Sequence, residues 1–401
     1  MGIAYPSDFL LPKDAELEKW AVIACDQYTS QKERWEEMAA AIGSAPSTLN
    51  LILPEAYLDE AKDRIPRIHE SMDALLNGQL APAVKNGMVL TERSCLHGTL
   101  WGLVVTVDLE AYAYGADSKS PIRPTEGTVL ERIPPRAAVR RGAKLETSHI
   151  LMLIDDPKET VIEPMVKARK AYRKLYDLDL LANGGHLSGY AVEGAHAENA
   201  LKAINALTDA AAEGGIALAV GDGNHSLATA KACWEEIKQT LNPDAQETHP
   251  ARFATVEVIN LYEPALVFEP IHRLALHTSA DAVLKALASA GARRTDGAPD
   301  AVIVSPDGDI PVVFERPKHT LPVGTVQACL DEAKIETDYV HGENDLRGLV
   351  KKGLGTGILL PPMDKSLLFP SVEKNGPLPR KTFSMGEANE KRYYMEVRRI
   401  G

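Results

Sequence analysis

Residues 216–239 read IALAVGDGNHSLATAKACWEEIKQ, and this stretch has the clearest element boundaries in the chain. The apolar run Ile216–Val220 predicts a buried strand, and the glycines of Gly221–His225 predict a tight turn. Helical spacing resumes over Ser226–Gln239. The stretch therefore predicts a strand, a turn and a helix in direct succession.

A turn of this kind, placed where a helix starts, is suited to binding an anion. The first helical amides lack partners within the helix, and the helix dipole adds positive charge there. Ser226 is expected to cap the helix, and His225 to donate to a phosphate oxygen or to titrate near neutral pH. The spacing matches neither a Walker A motif nor a dinucleotide fingerprint, so an ordinary turn capped by Asp or Asn is an equally good interpretation.

The rest of the chain alternates irregularly between helical and strand patterns. Hairpin-like strand pairs between helices favour an α+β fold, with mixed sheets and flanking helices, over a regular βαβ array. Helices are predicted at 31–42, 54–79, 161–175 and 198–212. Three regions are predicted: an N-terminal α+β region (1–118), a central region with the turn (119–297) and a C-terminal α+β region (298–401).

Composition excludes several classes of protein. The 401 residues carry 44 basic and 56 acidic side chains, a net charge of −12 that argues against a nucleic-acid partner. No apolar run is long enough to span a membrane and no signal peptide is visible, so a cytoplasmic protein without a membrane partner is expected. The four cysteines are too far apart to indicate a zinc site or a redox pair.

A basic segment stands out in this acidic chain. Between Lys119 and Lys144, seven basic residues occur against two acidic ones. The basic residues are Lys119, Arg123, Arg132, Arg136, Arg140, Arg141 and Lys144. Since a guanidinium group can bind phosphate or carboxylate through two parallel hydrogen bonds, the cluster favours an anionic ligand. For any single arginine, a solvated helix face is the simpler interpretation.

Carboxylates lie within and beyond this segment. Glu126 and Glu131 belong to it, and Glu146 and His149 follow it. A carboxylate among arginines stays ionised, which suits a group that accepts a hydroxyl proton or helps to hold a metal. Compensation of the arginine charges is the alternative.

A second polar segment, Cys25–Ser30, directly follows an apolar run. Its simplest interpretation is a helix N-cap, with Thr29 or Ser30 capping the predicted helix 31–42.

The GDGNHS turn and several separated motifs resemble the bacterial domain-of-unknown-function family 1015. The motifs, in order, are CDQYTSQKERW (25–35), IRPTEGTVLERIPPR (122–136), LETSHILMLIDDP (145–157) and PLPRKTFSMG (377–386). The family's Asp-Gly-His-His-Arg turn is similar to the phosphate-binding turn of the ParB and sulfiredoxin-like superfamily, which includes free-serine kinases. Asp222, Gly223 and His225 match that turn, whereas Asn224 replaces its first His and Ser226 its Arg.

The resemblance implies an ATP-dependent kinase of a small hydroxylated metabolite, free L-serine first, that uses ATP and Mg²⁺. It implies that Glu126 accepts the substrate's hydroxyl proton, that His225 is catalytic and that Asp222 is catalytic and helps to hold Mg²⁺. The residues expected to bind phosphate or nucleotide are Gly221, Gly223, Asn224, Ser226, Arg123, Arg132 and Lys381, the last three in place of the missing arginine. A phosphoester or nucleotide hydrolase and a non-catalytic nucleotide-binding regulator are the alternatives, and each has a small anionic or nucleotide ligand as its partner. The oligomeric state is not predicted.

Overall fold

The computed structural model describes residues 2–211 and 214–401. The chain forms two compact units. The first comprises 1–124, 128–266 and 387–401, and the second comprises 125–127 and 267–386. The three regions predicted from the sequence stay a prediction. They do not coincide with these units, because each unit is built from separate stretches of chain that a division along the sequence cannot represent.

Strands of the first 266 residues are β1 (Ala4–Tyr5), β2 (Ser7–Pro12), β3 (Val22–Ile23), β4 (Leu80–Cys95), β5 (Gly98–Asp108), β6 (Ile122–Pro124), β7 (Leu145–Thr147), β8 (Leu151–Ile154), β9 (Arg173–Asp179), β10 (His186–Val192), β11 (Leu218–Asp222) and β12 (Phe253–Asn260). The helices of the same stretch are α1 (Leu17–Trp20), α2 (Lys32–Ile42), α3 (Ala61–Ala74), α4 (Ile133–Arg140), α5 (Glu163–Ala168), α6 (Ala195–Ala210), α7 (Asn224–Lys238) and α8 (Pro243–Thr248).

The second unit contains β13 (Phe268–Leu276), β14 (Ala292–Arg294), β15 (Ala301–Ser305), β16 (Gly308–Phe314), β17 (Thr337–His341), β18 (Gly355–Leu359) and β19 (Phe383–Met385). Its helices are α9 (Ala280–Leu287), α10 (Pro322–Glu332), α11 (Glu343–Lys351) and α12 (Leu368–Asn375). The chain ends in the first unit with β20 (Tyr393–Tyr394) and β21 (Val397–Arg399).

A 12-stranded mixed sheet organises the first unit within the described residues. Its main path runs β6-β11-β8-β12-β5-β4-β2-β21-β7, with β1, β10 and β9 attached at its sides. Strand β11 pairs parallel with β6 and antiparallel with β8, and β8 in turn pairs parallel with β12. This arrangement places the end of β11 beside the start of β8, where the candidate site lies.

Apolar clusters lie on the helix-covered faces of this sheet. One contains Trp20, Trp35 and Met72, and another contains Met152, Val220 and Trp234, each of them buried. Burial of a large apolar side chain contributes about 1.5–3 kcal/mol, so these clusters supply the main driving force for folding.

The second unit has its own seven-stranded sheet of order β14-β16-β15-β18-β13-β17, with β19 paired to β13. Helix α11 covers it through Leu346 and Val350, which pack on Leu274 and Val304. Taken together, the two units confirm the α+β class with mixed sheets and flanking helices.

One element prediction was wrong, and a second was confirmed with interruptions. Residues 161–175 divide into α5, a 3₁₀ turn and the start of β9, because pairing with β10 overrides the helical spacing. The predicted helix 54–79 is helical in three pieces. A 3₁₀ segment precedes α3, and Asn77 and Gly78 leave helical geometry after it.

No helix in the described part of the chain combines the length and apolar character needed to cross a membrane.

Candidate functional site

The junction of β11 and α7 depends on two glycines. Gly221 is the extra residue of a bulge where β11 changes register against β8. Gly223 has φ +73°, and a Cβ atom there would lie 2.9 Å from Cα of Ile150. Any side chain at Gly223 would therefore be strained and would collide with backbone. Glycine at this position lets the end of β11 approach the segment that carries His149.

Ser226 does not cap the helix, contrary to the prediction. Helix α7 begins at Asn224 with Gly223 as its N-cap residue, and no side chain caps it. Ser226 is already within the first turn, and its amide donates to the carbonyl of Gly223 at 3.0 Å. The αL conformation of Gly223 starts the helix two residues earlier than the sequence suggested. The hydroxyl of Ser226 instead faces His149.

Asp222 is held ionised at the end of β11. Its Oδ1 accepts the amide of Gly223 at 2.9 Å, and its Oδ2 lies 3.2 Å from Nζ of Lys391. Burial alone would raise the pKa of Asp222, but the charge of Lys391 and the hydrogen bond from the Gly223 amide lower it, so the pKa lies below its ordinary value. Asp222 therefore presents a carboxylate next to a cation at the helix start.

His149 is buried between β7 and β8, with 4% of its surface exposed. Its Nδ1 lies 2.6 Å from the hydroxyl oxygen of Tyr394. Its Nε2 lies 3.4 Å from Oγ of Ser226 and 3.7 Å from Oδ2 of Asp26. One imidazole thus joins the GDGNHS turn to the CDQYTS segment and to the C-terminal strand β20.

A cavity of about 130 Å³ lies beside these groups, entirely in the first unit. Its apolar wall is formed by Leu51, Ile52, Leu53, Met72, Val139, Ala143, Leu145 and Ile150. Its polar wall is formed by Cys25, Arg136, Arg140, Glu146, Thr147, Ser148, His149, Ser226, Thr229 and Tyr394. The cavity is large enough for a small metabolite.

Charges in the cavity wall are paired. Arg136 forms an ion pair with Glu55, and Arg140 Nη2 lies 2.7 Å from Oε2 of Glu146. Burial raises the pKa of Glu146, but Arg398 and Arg140 together lower it to about 2. The wall therefore offers charged groups that are already fixed in position.

Asn224 and His225 hold the neighbouring loop. The Asn224 amide nitrogen donates to Oγ1 of Thr128 at 3.0 Å, and its Oδ1 accepts from Tyr112 at 3.2 Å. The amide of Val129 donates to Nε2 of His225 at 3.1 Å. The two side chains thus attach residues 128–129 to the first turn of α7. A catalytic role for His225 and a phosphate role for Asn224 stay predictions.

The predicted cationic contacts lie elsewhere. Arg123 is buried and donates through Nη1 and Nη2 to the carbonyls of Ser118 and Gly214, each at 2.8 Å. Arg132 is exposed, and its carbonyl accepts from Arg136 at 2.6 Å. Their phosphate roles stay predictions, and Arg123 has a clear structural role.

Glu126 and Lys381 belong to the second unit. Glu126 forms a parallel bridge with Leu378, and the carbonyl of Lys381 accepts from Nη1 of Arg273 at 2.8 Å. Burial lowers the pKa of Arg273 to about 10, although Tyr339 and Glu126 raise it. The structure thus groups these two predicted residues around Arg273, while Gly221, Asp222, Gly223, Asn224, His225 and Ser226 stand together in the first unit. The roles proposed for Glu126 and Lys381 stay predictions.

The sequence matches, over residues 7–351, the family described as "Protein of unknown function (DUF1015)". The chain belongs to this family. A comparison with proteins of curated function gave no match.

Three solved structures show what this DUF1015 chain is similar to. Free serine kinase in complex with AMP is 12% identical, with 74% of this chain and 91% of that chain covered and a TM-score of 0.39. A mutant of free serine kinase in complex with ADP is also 12% identical, with 74% of this chain and 92% of that chain covered and a TM-score of 0.40. A conserved hypothetical protein from Pyrococcus furiosus is 11% identical, with 70% of this chain and 90% of that chain covered and a TM-score of 0.35. Because these identities and TM-scores are low, the activity has to be argued from the side chains of this chain.

Sequence reasoning missed Asp26, Lys391 and Tyr394 and gave His149 only a minor place. Asp26 and His149 lie within motifs shared with DUF1015, which was the available signal. The N-cap interpretation of the Asp26 segment was wrong, because Gln31 is the N-cap residue of α2 and no side chain caps that helix. Pairing of β20 with β3 brings Tyr394 opposite Val22, a contact over more than 370 residues that the sequence does not show.

Proposed function

We propose that this DUF1015 protein is an ATP-dependent kinase of a small hydroxylated metabolite, with free L-serine as the first acceptor. The observation that supports it best is a single cluster in the first unit. It combines the start of α7, the Asp222–Lys391 pair and His149 with Asp26, all beside a metabolite-sized cavity. Phosphoryl transfer depends on positioning and charge neutralisation, and this cluster offers both.

The phosphates of ATP would bind at the start of α7. The positive end of the helix dipole lies there, and Lys391 adds a full charge 3.2 Å from Asp222. Gly223 is the N-cap residue of α7, and no side chain caps the helix there. This assignment keeps Gly221, Gly223, Asn224 and Ser226 as nucleotide-site residues.

Magnesium is expected to accompany the nucleotide. Within the described residues, no group of three or more His, Cys, Asp or Glu side chains could hold a metal. Mg²⁺ bound with a nucleotide needs only one or two carboxylates, the other ligands being phosphate oxygens and water. Asp222, at the start of α7 beside Lys391, fits that requirement. When bound, the ion would neutralise charge on the phosphates.

The acceptor would occupy the cavity. A small zwitterion such as L-serine would meet Arg136, Arg140 and His149 in the cavity wall, and Asp26 lies 3.7 Å from Nε2 of His149. Its hydroxyl oxygen forms a bond to the γ-phosphorus, the bond from that phosphorus to the β–γ bridging oxygen breaks, and ADP leaves with the electron pair. Asp26 accepts the hydroxyl proton. Glu126, proposed from the family resemblance, is the other carboxylate to test for this step.

Phosphorus NMR of the protein with Mg²⁺-ATP, with and without L-serine and a panel of small alcohols and amino acids, tests the proposal. A new phosphoester signal that requires the acceptor and is lost in Asp222→Asn is expected. The control is Asp309→Asn, which removes another ion-paired carboxylate, 2.7 Å from Arg347 in the second unit. Free phosphate without an acceptor would indicate the hydrolase instead, and unchanged ATP with shifted resonances would indicate a non-catalytic binder.

A further inference from the structure

The hydroxyl of Tyr394 has two neighbours that restrict where its hydrogen points. The amide of Cys25 donates to the tyrosine oxygen at 3.2 Å, and Nδ1 of His149 lies 2.6 Å from the same oxygen. Burial raises the pKa of Tyr394 well above its ordinary value, so the hydroxyl keeps its hydrogen. Strand β20 fixes the ring, since Tyr394 pairs with Val22 of β3.

The tyrosine hydrogen needs an acceptor, because the Cys25 amide supplies its own hydrogen to the oxygen. An imidazole nitrogen at 2.6 Å is a much better acceptor than the neighbouring thiol of Cys25. Burial raises the pKa of that thiol to about 12, so the sulfur stays neutral and a weak acceptor. Nδ1 of His149 therefore accepts from Tyr394.

A neutral imidazole that accepts at Nδ1 carries its hydrogen on Nε2. The surroundings of Nε2 agree, because Oγ of Ser226 at 3.4 Å can accept, and the negative carboxylate of Asp26, with Oδ2 3.7 Å away, favours an N–H group there. We infer that Tyr394 is a positioning residue that holds His149 with a hydrogen on Nε2, so that His149 donates a hydrogen bond into the cavity and does not act as a base.

This inference rests on the proposed function for the identity of the ligand. In phosphoryl transfer, the Nε2–H group would donate to an oxygen of the nucleotide or the acceptor and offset its growing negative charge. Acceptance of the hydroxyl proton then belongs to a carboxylate, and Asp26 stands nearest to Nε2 among the acids in contact with His149. His149 is thus the electrostatic partner of the reaction and Asp26 its proton acceptor.

Long-range proton–nitrogen NMR of protein with ¹⁵N-labelled histidine tests the inference without any turnover. The His149 signals, assigned by their loss in His149→Gln, should show hydrogen on Nε2 and a bare Nδ1 at neutral or alkaline pH. Tyr394→Phe should shift the ring partly or wholly to the other tautomer. Tyr393→Phe is the matched control, since its hydroxyl donates at 2.6 Å to the carbonyl of Leu181. A bare Nε2 in the unaltered protein, or an unchanged ring in Tyr394→Phe, would overturn the inference.

A kinetic measurement then separates this inference from the proposed function. Tyr394→Phe should lower kcat about ten-fold while KM for the acceptor changes less than two-fold, since one hydrogen bond of about 1.4 kcal/mol is lost at the transition state. Equal kcat in Tyr394→Phe and Tyr393→Phe would contradict the positioning role. Absence of turnover in every form, with the expected tautomer in place, would refute the kinase and leave the His149 assignment standing.

Discussion

Lys391 and Arg392 are neighbours in one short segment, yet they serve two different groups of charges. Arg392 enters a closed network, with Nη2 2.8 Å from Glu396 and Nη1 3.2 Å from Glu257, and each of these side chains is at most 5% exposed. Lys391 reaches Asp222 at the candidate site, where the two side chains keep 17% and 30% of their surface exposed. We call Glu257, Arg392 and Glu396 the closed group, and Asp222, Lys391 and the partly exposed Asp26 the open group. Completely paired charges fix the segment to the core, whereas partly exposed ones remain able to bind a ligand.

The largest expected effect is on turnover, from a change at the open group. Asp26→Asn should lower kcat by about 10²–10⁴-fold, the usual cost of removing a general base, because an amide cannot accept the hydroxyl proton. Asp59→Asn, which removes a surface carboxylate 3.2 Å from Lys32, is the control and should keep normal turnover. Steady-state kinetics measures both. Full activity in Asp26→Asn would return the base role to Glu126.

The closed group should show its effect in stability. Arg392→Met leaves Glu257 and Glu396 short of a buried partner, so the free energy of unfolding should fall by about 3–5 kcal/mol. Lys391→Met should cost about 0–1 kcal/mol, since its ion pair is partly exposed. Urea unfolding followed by circular dichroism gives both values. Similar losses in the two variants would mean that the two groups do not differ in this way.

Unfolding measured at different pH values tests the same kind of buried, completely paired charge at another carboxylate, Glu146. Its pKa in the folded protein is about 2, so its pairing with Arg398 and Arg140 stabilises the fold above the ordinary pKa and is lost as pH falls towards 2. The contribution at neutral pH is about 3 kcal/mol. The difference in unfolding free energy between the unaltered protein and Glu146→Gln should therefore shrink as the solution is acidified from about pH 6. A difference that does not change with pH would contradict the ion-pair assignment.

The smallest expected effect tests the backbone at the helix start. Gly223→Ala meets both a positive φ and Cα of Ile150 at 2.9 Å, so it should destabilise the protein by about 1–3 kcal/mol. Gly353→Ala, at φ +76° after helix α11 with nothing within 4 Å, carries the backbone strain alone and should cost about 1 kcal/mol. Thermal unfolding of the two variants separates strain from collision. Equal losses would show that Ile150 can move aside.

Much of the fold was predictable because local pattern and burial agree. The apolar run before Gly221 and the helical spacing after it gave β11 and α7 to within two residues, and the mixed order of elements gave the α+β class. Residues 161–175 were wrong because pairing between β9 and β10 decides their structure. The return of 387–401 to the first unit was not predictable, since nothing local in that segment indicates its partners.

The part of the candidate site that depends on local sequence was predictable, and the part that depends on pairing between distant strands was not. Asp222 and its glycines were found because turn chemistry is local. His149, Asp26 and Tyr394 meet only through pairings of β8 with β11 and of β3 with β20, which join distant parts of the chain. Arg123 also has a structural role that the sequence did not predict, since its guanidinium donates to two main-chain carbonyls.

Calorimetric titration with Mg²⁺-ADP tests most directly whether the open group is a nucleotide site. The unaltered protein should bind, and Lys391→Met should bind about ten-fold or more weakly, since one charge-assisted contact is worth about 1.5–3 kcal/mol. Lys144→Met, which removes an exposed lysine paired with Asp73 at 2.6 Å, should bind as the unaltered protein does. Equal affinity in Lys391→Met, or no binding by the unaltered protein, would contradict a nucleotide site at the start of α7.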